Sequence, residues 1–198
     1  RFGMLVCHRR FGKSVLAVNQ CIEKALAKQS QKIWYCSPFY KQTKEIAWNL
    51  FDFYLPKDFI SKKNEAELKI SLINGSEISL KGTDNSDSLV GVGLHFCVLD
   101  EFPLMKQDVW YHIVRPMLID TKGECLFIGT PRGYNWAYDM WKKSEREWKS
   151  DSNALTTHDS RLTTQSGALT THDRSETKIQ IFRDSRLTTT DPLGADSI

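Results

Sequence analysis

The sequence predicts an α/β domain with a mainly parallel sheet flanked by helices, and three observations predict it. Short apolar runs alternate with helical patterns over residues 1–149. The first run leads directly into Gly12-Lys13-Ser14, the closing half of a phosphate-loop pattern. Two later runs end in polar residues, at Asp100-Glu101 and at Thr130. Sheets of this kind place their ligands outside the carboxyl ends of the strands.

The elements follow in order. "FGMLVC" (2–7) reads as a short buried strand, followed by a helix from Lys13 to about Lys28. "KIWYCS" (32–37) is a second strand. In "KQTKEIAWNLFDFY" (41–54), Ile46, Leu50, Phe53 and Tyr54 recur at helical spacing, and Pro56 ends the pattern. "ELKISLINGSEISLKG" (67–82) reads as an inserted β-hairpin turning at Asn74-Gly75. "HFCVLDE" (95–101) and "ECLFIGT" (124–130) are two further strands, and a Trp- and charge-rich helix (135–149) closes the domain.

Residues 150–198 are different in kind. Residues 1–149 hold 22 Lys+Arg and 17 Asp+Glu, a net +5; residues 150–198 hold 5 and 7, a net −2. The tail has one aromatic, Phe182, and copies of "ALTTHD" and "DSRLTT" at irregular spacing, so no solenoid repeat is present. With so few large apolar groups it cannot offset its ordering entropy, and a disordered tail is expected. The chain starts at Arg1 inside a strand-like run, which reads as a truncation on its N-terminal side. No apolar run approaches the roughly 18–20 residues that span a bilayer. The five cysteines form no C-x-x-C pair and read as reduced core residues.

The candidate chemistry lies at the strand ends. Backbone N–H groups at a helix N-terminus bind anions, and Lys13 adds a point charge for the β- and γ-phosphates. Ser14 offers a hydroxyl to Mg²⁺. The first glycine of the pattern is replaced by Cys7, and Arg9 and Arg10 occupy variable positions. The plain alternative is a helix that happens to begin after Gly-Lys-Ser, with a solvated basic turn before it. In "CVLDE", Asp100 fits a metal-holding carboxylate and Glu101 a base for the attacking water. Adjacent strand residues point opposite ways, so a twist at the strand end is required to bring both to one ligand. Thr130 is either a sensor of the γ-phosphate or part of a plain "GTPRG" turn.

In these motifs the chain resembles the ATPase domain of tailed-phage terminase large subunits. The resemblance covers nearly all of residues 1–148. It rests on "HRRFGKS" (8–14), "YCSPFYKQTKEIAW" (35–48), "NGSEISLKGTDNSDSL" (74–89), "VLDEF" (98–102), "VWYHIVRPML" (109–118) and "FIGTPRGYN" (127–135). It implies a P-loop NTPase-like fold, ATP and Mg²⁺ as ligands, and double-stranded DNA as the packaged substrate. It also implies a portal protein and a small terminase subunit as partners, a homo-oligomeric ring when full length, and the cytoplasm of a bacterial host as the location. Terminases carry a phosphate loop without the first glycine and with an arginine, so the resemblance makes Arg9 a cis group for the γ-phosphate. It assigns Gly12, Lys13 and Ser14 their usual roles, makes Asp100 and Glu101 the acidic pair, and makes Thr130 the coupling residue.

Two departures stand out. Relatives often read Leu-Arg-Gly where this chain has Leu89-Val90-Gly91. Residues 150–198 are too short and too polar for the nuclease domain of full terminases, so no nuclease activity is expected of them. A helicase-like ATPase and a non-catalytic remnant are the competing readings; no helicase motif follows "GTPRG".

Overall fold

A computed structural model describes residues 2–84, 89, 93–143 and 178–182. Eight strands form one sheet in the order β3-β4-β5-β2-β6-β7-β1-β8. They are β1 (Phe2–Val6), β2 (Lys32–Ser37), β3 (Ile60–Asn64), β4 (Lys69–Leu72), β5 (Glu77–Gly82), β6 (Phe96–Asp100), β7 (Glu124–Gly129) and β8 (Lys178–Phe182). The five central strands β5, β2, β6, β7 and β1 are parallel to their neighbours, and the pairs at both edges are antiparallel. The predicted parallel α/β architecture and the 67–82 hairpin are therefore present.

Apolar residues on both faces of the central strands explain their burial. One core forms under α1 (Lys13–Ala27) and α2 (Tyr40–Tyr54), from Leu5, Ile33, Tyr35, Val98 and Ile128 with Ala17, Val18, Cys21 and Phe51. The other face packs Met4, Trp34, Leu99 and Phe127 against Phe102, Trp110 and Leu118. Trp110 meets Phe127 and Phe2 edge-on at 4.7 and 5.3 Å, a favoured aromatic geometry. All five cysteines are free and buried in these cores.

The structure adds to the sequence reading in four places. In α2 the buried stripe is Thr43, Ala47, Trp48, Phe51 and Leu55, while Ile46 is 46% and Phe53 80% exposed. The helix carries two apolar stripes at similar spacing, and the one holding Trp48 and Phe51 fills the core. The polar strand β3, which the sequence reading missed, adds to the hairpin edge, where lysines suit an open edge. Residues 109–120, left without an element, form a π turn (Val109–Val114) running into α3 (Arg115–Asp120). Arg115 N–H reaches back to Trp110 O there, and Pro116 has no N–H to offer the preceding turn.

The fourth is β8: inside the 150–198 stretch, Lys178–Phe182 pairs antiparallel with β1, from Phe2↔Phe182 to Val6↔Lys178. The remainder of 150–198, Val90, and the closing helix beyond its described span (α4, 136–143) lie outside the described residues. Among the described residues no helix is long and apolar enough to cross a membrane.

Candidate functional site

The strand order decides what meets what. β7 lies between β1 and β6, so the carboxyl ends of these three strands are neighbours. β1 leads into the loop before Lys13, β6 ends at Asp100, and β7 ends just before Thr130. The chain thereby brings together groups that are 87 and 30 positions apart in sequence.

Gly12 caps α1 in the left-handed conformation, φ 85°, where glycine has no Cβ penalty. No side chain caps the helix and its first turn holds no acid, so its leading N–H groups remain available to an anion. Lys13 is nearly buried and folds back over its own loop, donating to Cys7 O at 3.0 Å and His8 O at 2.8 Å. An ammonium has three donors, so one remains. Arg10 also adopts a positive φ, 64°, uncommon for a side chain of this type.

Glu101 supplies the twist that the acidic pair requires. Its φ of 50° and ψ of 39° break the strand alternation right after Asp100. Thr130 Oγ1 donates to Glu101 Oε1 at 3.0 Å. Among the described residues, buried Glu101 Oε2 has no hydrogen-bond partner, a costly arrangement for a carboxylate oxygen unless a ligand or water uses it. Gly129 permits the close approach of the two strand ends: a Cβ there would fall 2.7 Å from Pro103 Cδ.

Asp100 is tied to β2. Tyr35 Oη donates to Asp100 Oδ2 at 2.5 Å, with the Ser14 hydroxyl nearby. Burial, and secondarily the neighbouring Glu101, push the Asp100 carboxyl up from 3.8 to about 6, against the lowering effects of the Tyr35 hydrogen bond and Lys13. A buried carboxylate raised in this way is one that a cation would favour in its charged form.

Arg9, Arg10, Phe11, Gly12, Lys13, Ser14 and Glu101 line one open cleft of about 500 Å³, together with Leu104 and Arg132. Asp100 and Thr130 are not walls of this cleft. Thr130 is joined to it by its hydrogen bond to Glu101, and Asp100, which accepts from Tyr35, directly precedes Glu101 in the chain. Every candidate residue from the sequence thus belongs to one constellation. The sequence reading missed Arg132 and Tyr35. Arg132 had a signal, a basic residue two positions after Thr130 in a strand-end loop; Tyr35 heads the 35–48 block but reads there as one more apolar strand position.

A phosphate-loop-like turn feeding a helix, and an acidic strand end two strands away, on a parallel sheet, define a P-loop NTPase-like domain. Solved structures share the fold. The HK97 bacteriophage large terminase superposes with a TM-score of 0.62 at 16% identity, covering 76% of this chain and 33% of that one. The Thermus phage P74-26 large terminase ATPase domain gives 0.57 at 25% identity, covering 70% and 62%. The chain belongs to the family "Terminase large subunit, T4likevirus-type, N-terminal", which matches residues 4–192. That match extends past residue 148 and takes in β8. The terminase large subunit of Escherichia phage T5 is 31% identical over 145 residues, and that of Thermus phage G20c 25% over 173. The chain spans about a third of the length of these relatives, 33% and 36%.

Proposed function

We propose that this domain binds and hydrolyses ATP with Mg²⁺, and that within its full-length protein the reaction drives double-stranded viral DNA into a capsid. The observation that carries the reading is the convergence of Lys13, Ser14 and Glu101 on one cleft, with Thr130 hydrogen-bonded to Glu101 and Asp100 immediately before it at the end of β6. The free N–H groups of the first turn of α1 and the remaining Lys13 donor receive the β- and γ-phosphates. Arg9, exposed on the same wall, balances charge on the transferring phosphoryl group, as arginine fingers do. Ser14 and Asp100 would hold Mg²⁺, which would supply charge neutralisation at the phosphate oxygens.

Glu101 takes the proton of the attacking water at Oε2, the oxygen left without a partner, while Thr130 fixes Oε1. General-base groups contribute about 10²–10⁴-fold. Thr130 also binds the base to the loop that follows β7, which supports a coupling role. Family membership supports the packaging substrate, a portal and small-subunit partnership, a ring assembly and action in the host cytoplasm. The test is Mg²⁺-dependent phosphate release by the 198-residue chain and by Arg9→Ala, with and without duplex DNA. Weak turnover, stimulated by DNA and further reduced in Arg9→Ala with binding retained, is the expected result. Nucleotide binding without any turnover would favour a non-catalytic remnant, and no binding would overturn the reading.

A further inference from the structure

Tyr35 is bonded to the proposed cation ligand Asp100; it heads the 35–48 block, yet nothing in that block singles it out. It lies on β2, opposite Val98 of the adjacent strand β6. Val98 and Asp100 share a face because strand side chains alternate, so a long side chain at position 35 reaches Asp100. The ring is 1% exposed and packs edge-on against Phe51 of α2, centroids 6.0 Å apart at 88°. Its hydroxyl is therefore held from behind by two elements. That hydroxyl donates to Asp100 Oδ2 at 2.5 Å, and the Ser14 hydroxyl is nearby.

A phenol has one O–H, and it goes to the carboxylate. The bond joins β2 to the end of β6 through a rigid aromatic spacer, with Ser14 at the start of α1 nearby. A plain core aromatic would fill the same volume and leave the carboxylate unguided.

We propose that Tyr35 is a positioning residue for the divalent cation, holding the Asp100 carboxylate in place for the ion before nucleotide arrives. This rests on the reading that the cleft binds Mg²⁺-nucleotide. Partners of this kind, which orient ligands without touching the metal, change metal affinity by about 10–100-fold when removed.

Tyr35→Phe keeps the ring and its packing and deletes only the hydroxyl. Binding of a fluorescent ATP analogue is titrated against Mg²⁺ in the 198-residue parent and variant, and measured again in EDTA. The Mg²⁺ midpoint should rise about tenfold or more in the variant, with metal-free affinity unchanged within about twofold. The melting temperature without metal reports the fold separately. An unchanged Mg²⁺ midpoint would overturn the inference, and so would an equal loss with and without metal, which is the mark of a merely structural role. In both of those cases the parent still shows Mg²⁺-dependent binding, so the nucleotide reading stands. A parent with no such dependence overturns both.

Discussion

Asn in place of Asp100 should stabilise the metal-free domain at neutral pH while weakening its Mg²⁺-dependent function. The folded state holds this carboxyl at about 6 against an ordinary 3.8, chiefly because burial disfavours the charge and next because Glu101 adjoins it. Lys13 and the Tyr35 hydroxyl act the other way. A folded value above the unfolded one means that the native state binds the proton more tightly. Between about pH 4 and 6 the unfolded chain has released this proton and the folded one has not, so stability falls as pH rises through that window and levels off above it. At about 1.36 kcal/mol per pH unit, the cost of the ionised group at pH 7 and above is at most about 3 kcal/mol. Asn accepts the Tyr35 hydrogen bond without charge and avoids that cost. With about 2–4 °C per kcal/mol for a domain of this size, the variant should melt higher by up to about 6–12 °C at pH 7.5 in EDTA. At pH 4 the two should nearly coincide. Calorimetric melting from pH 4 to 8 gives the difference curve, in which other carboxyls cancel. Parallel curves, or a variant less stable at pH 7.5, would refute the reasoning.

Three further substitutions bear on the site. Lys13→Ala should abolish the rise in melting temperature that ATP–Mg²⁺ gives the parent, a stabilisation of about 2.7 kcal/mol at a hundred times Kd; equal shifts in both proteins would remove Lys13 from the site. Glu101→Gln should bind nucleotide within a few-fold of the parent and lose about 10²–10⁴-fold in phosphate release, so parent-level turnover in a single-turnover assay would reassign the base. Gly129→Ala puts a Cβ 2.7 Å from Pro103 Cδ and 3.3 Å from Phe102 Cδ1. It should cost about 1–3 kcal/mol as an overpacked core does, read by urea denaturation, and a neutral result would mean that Pro103 yields freely.

The parallel sheet was legible because its central strands are apolar on both faces and end in polar motifs. Apolar period could not choose between the two stripes of α2: Ile46 and Phe53 fit a helix as well as Ala47 and Phe51 do, and only the volume of the core decides. β3 was hidden because an edge strand such as "ISKKN" needs no buried face. Lys13, Ser14, Asp100, Glu101 and Thr130 were legible because each follows a strand in a short motif. Arg132 and Tyr35 were not singled out, because their place depends on strand order and on the αL turn at Glu101, which no local pattern encodes.

The two walls of the cleft differ in how firmly they are held. Leu104 N–H bonds Glu101 O at 2.9 Å and Met105 N–H bonds Phe102 O at 3.0 Å. Phe102 is buried between Phe127 at 5.4 Å and Trp136 at 5.5 Å, and Trp136 Nε1–H donates to Met105 O at 2.9 Å. With the Thr130–Glu101 bond, these contacts join the segment after β6, the loop after β7 and the start of α4 into one piece. The opposite wall, His8 to Gly12, is exposed throughout, including Phe11 at 52%. Few buried contacts mean low local stability, so opening should begin on the phosphate-loop side while the base and Thr130 move together or not at all. Amide hydrogen exchange of the nucleotide-free chain should find residues 8–12 exchanging orders of magnitude faster than 104–105. ATP–Mg²⁺ should slow the first group far more than the second. Equal protection of the two walls in the free protein would show that the base wall is as loose as the loop, and a coupling role for Thr130 would then lack the rigid body it requires.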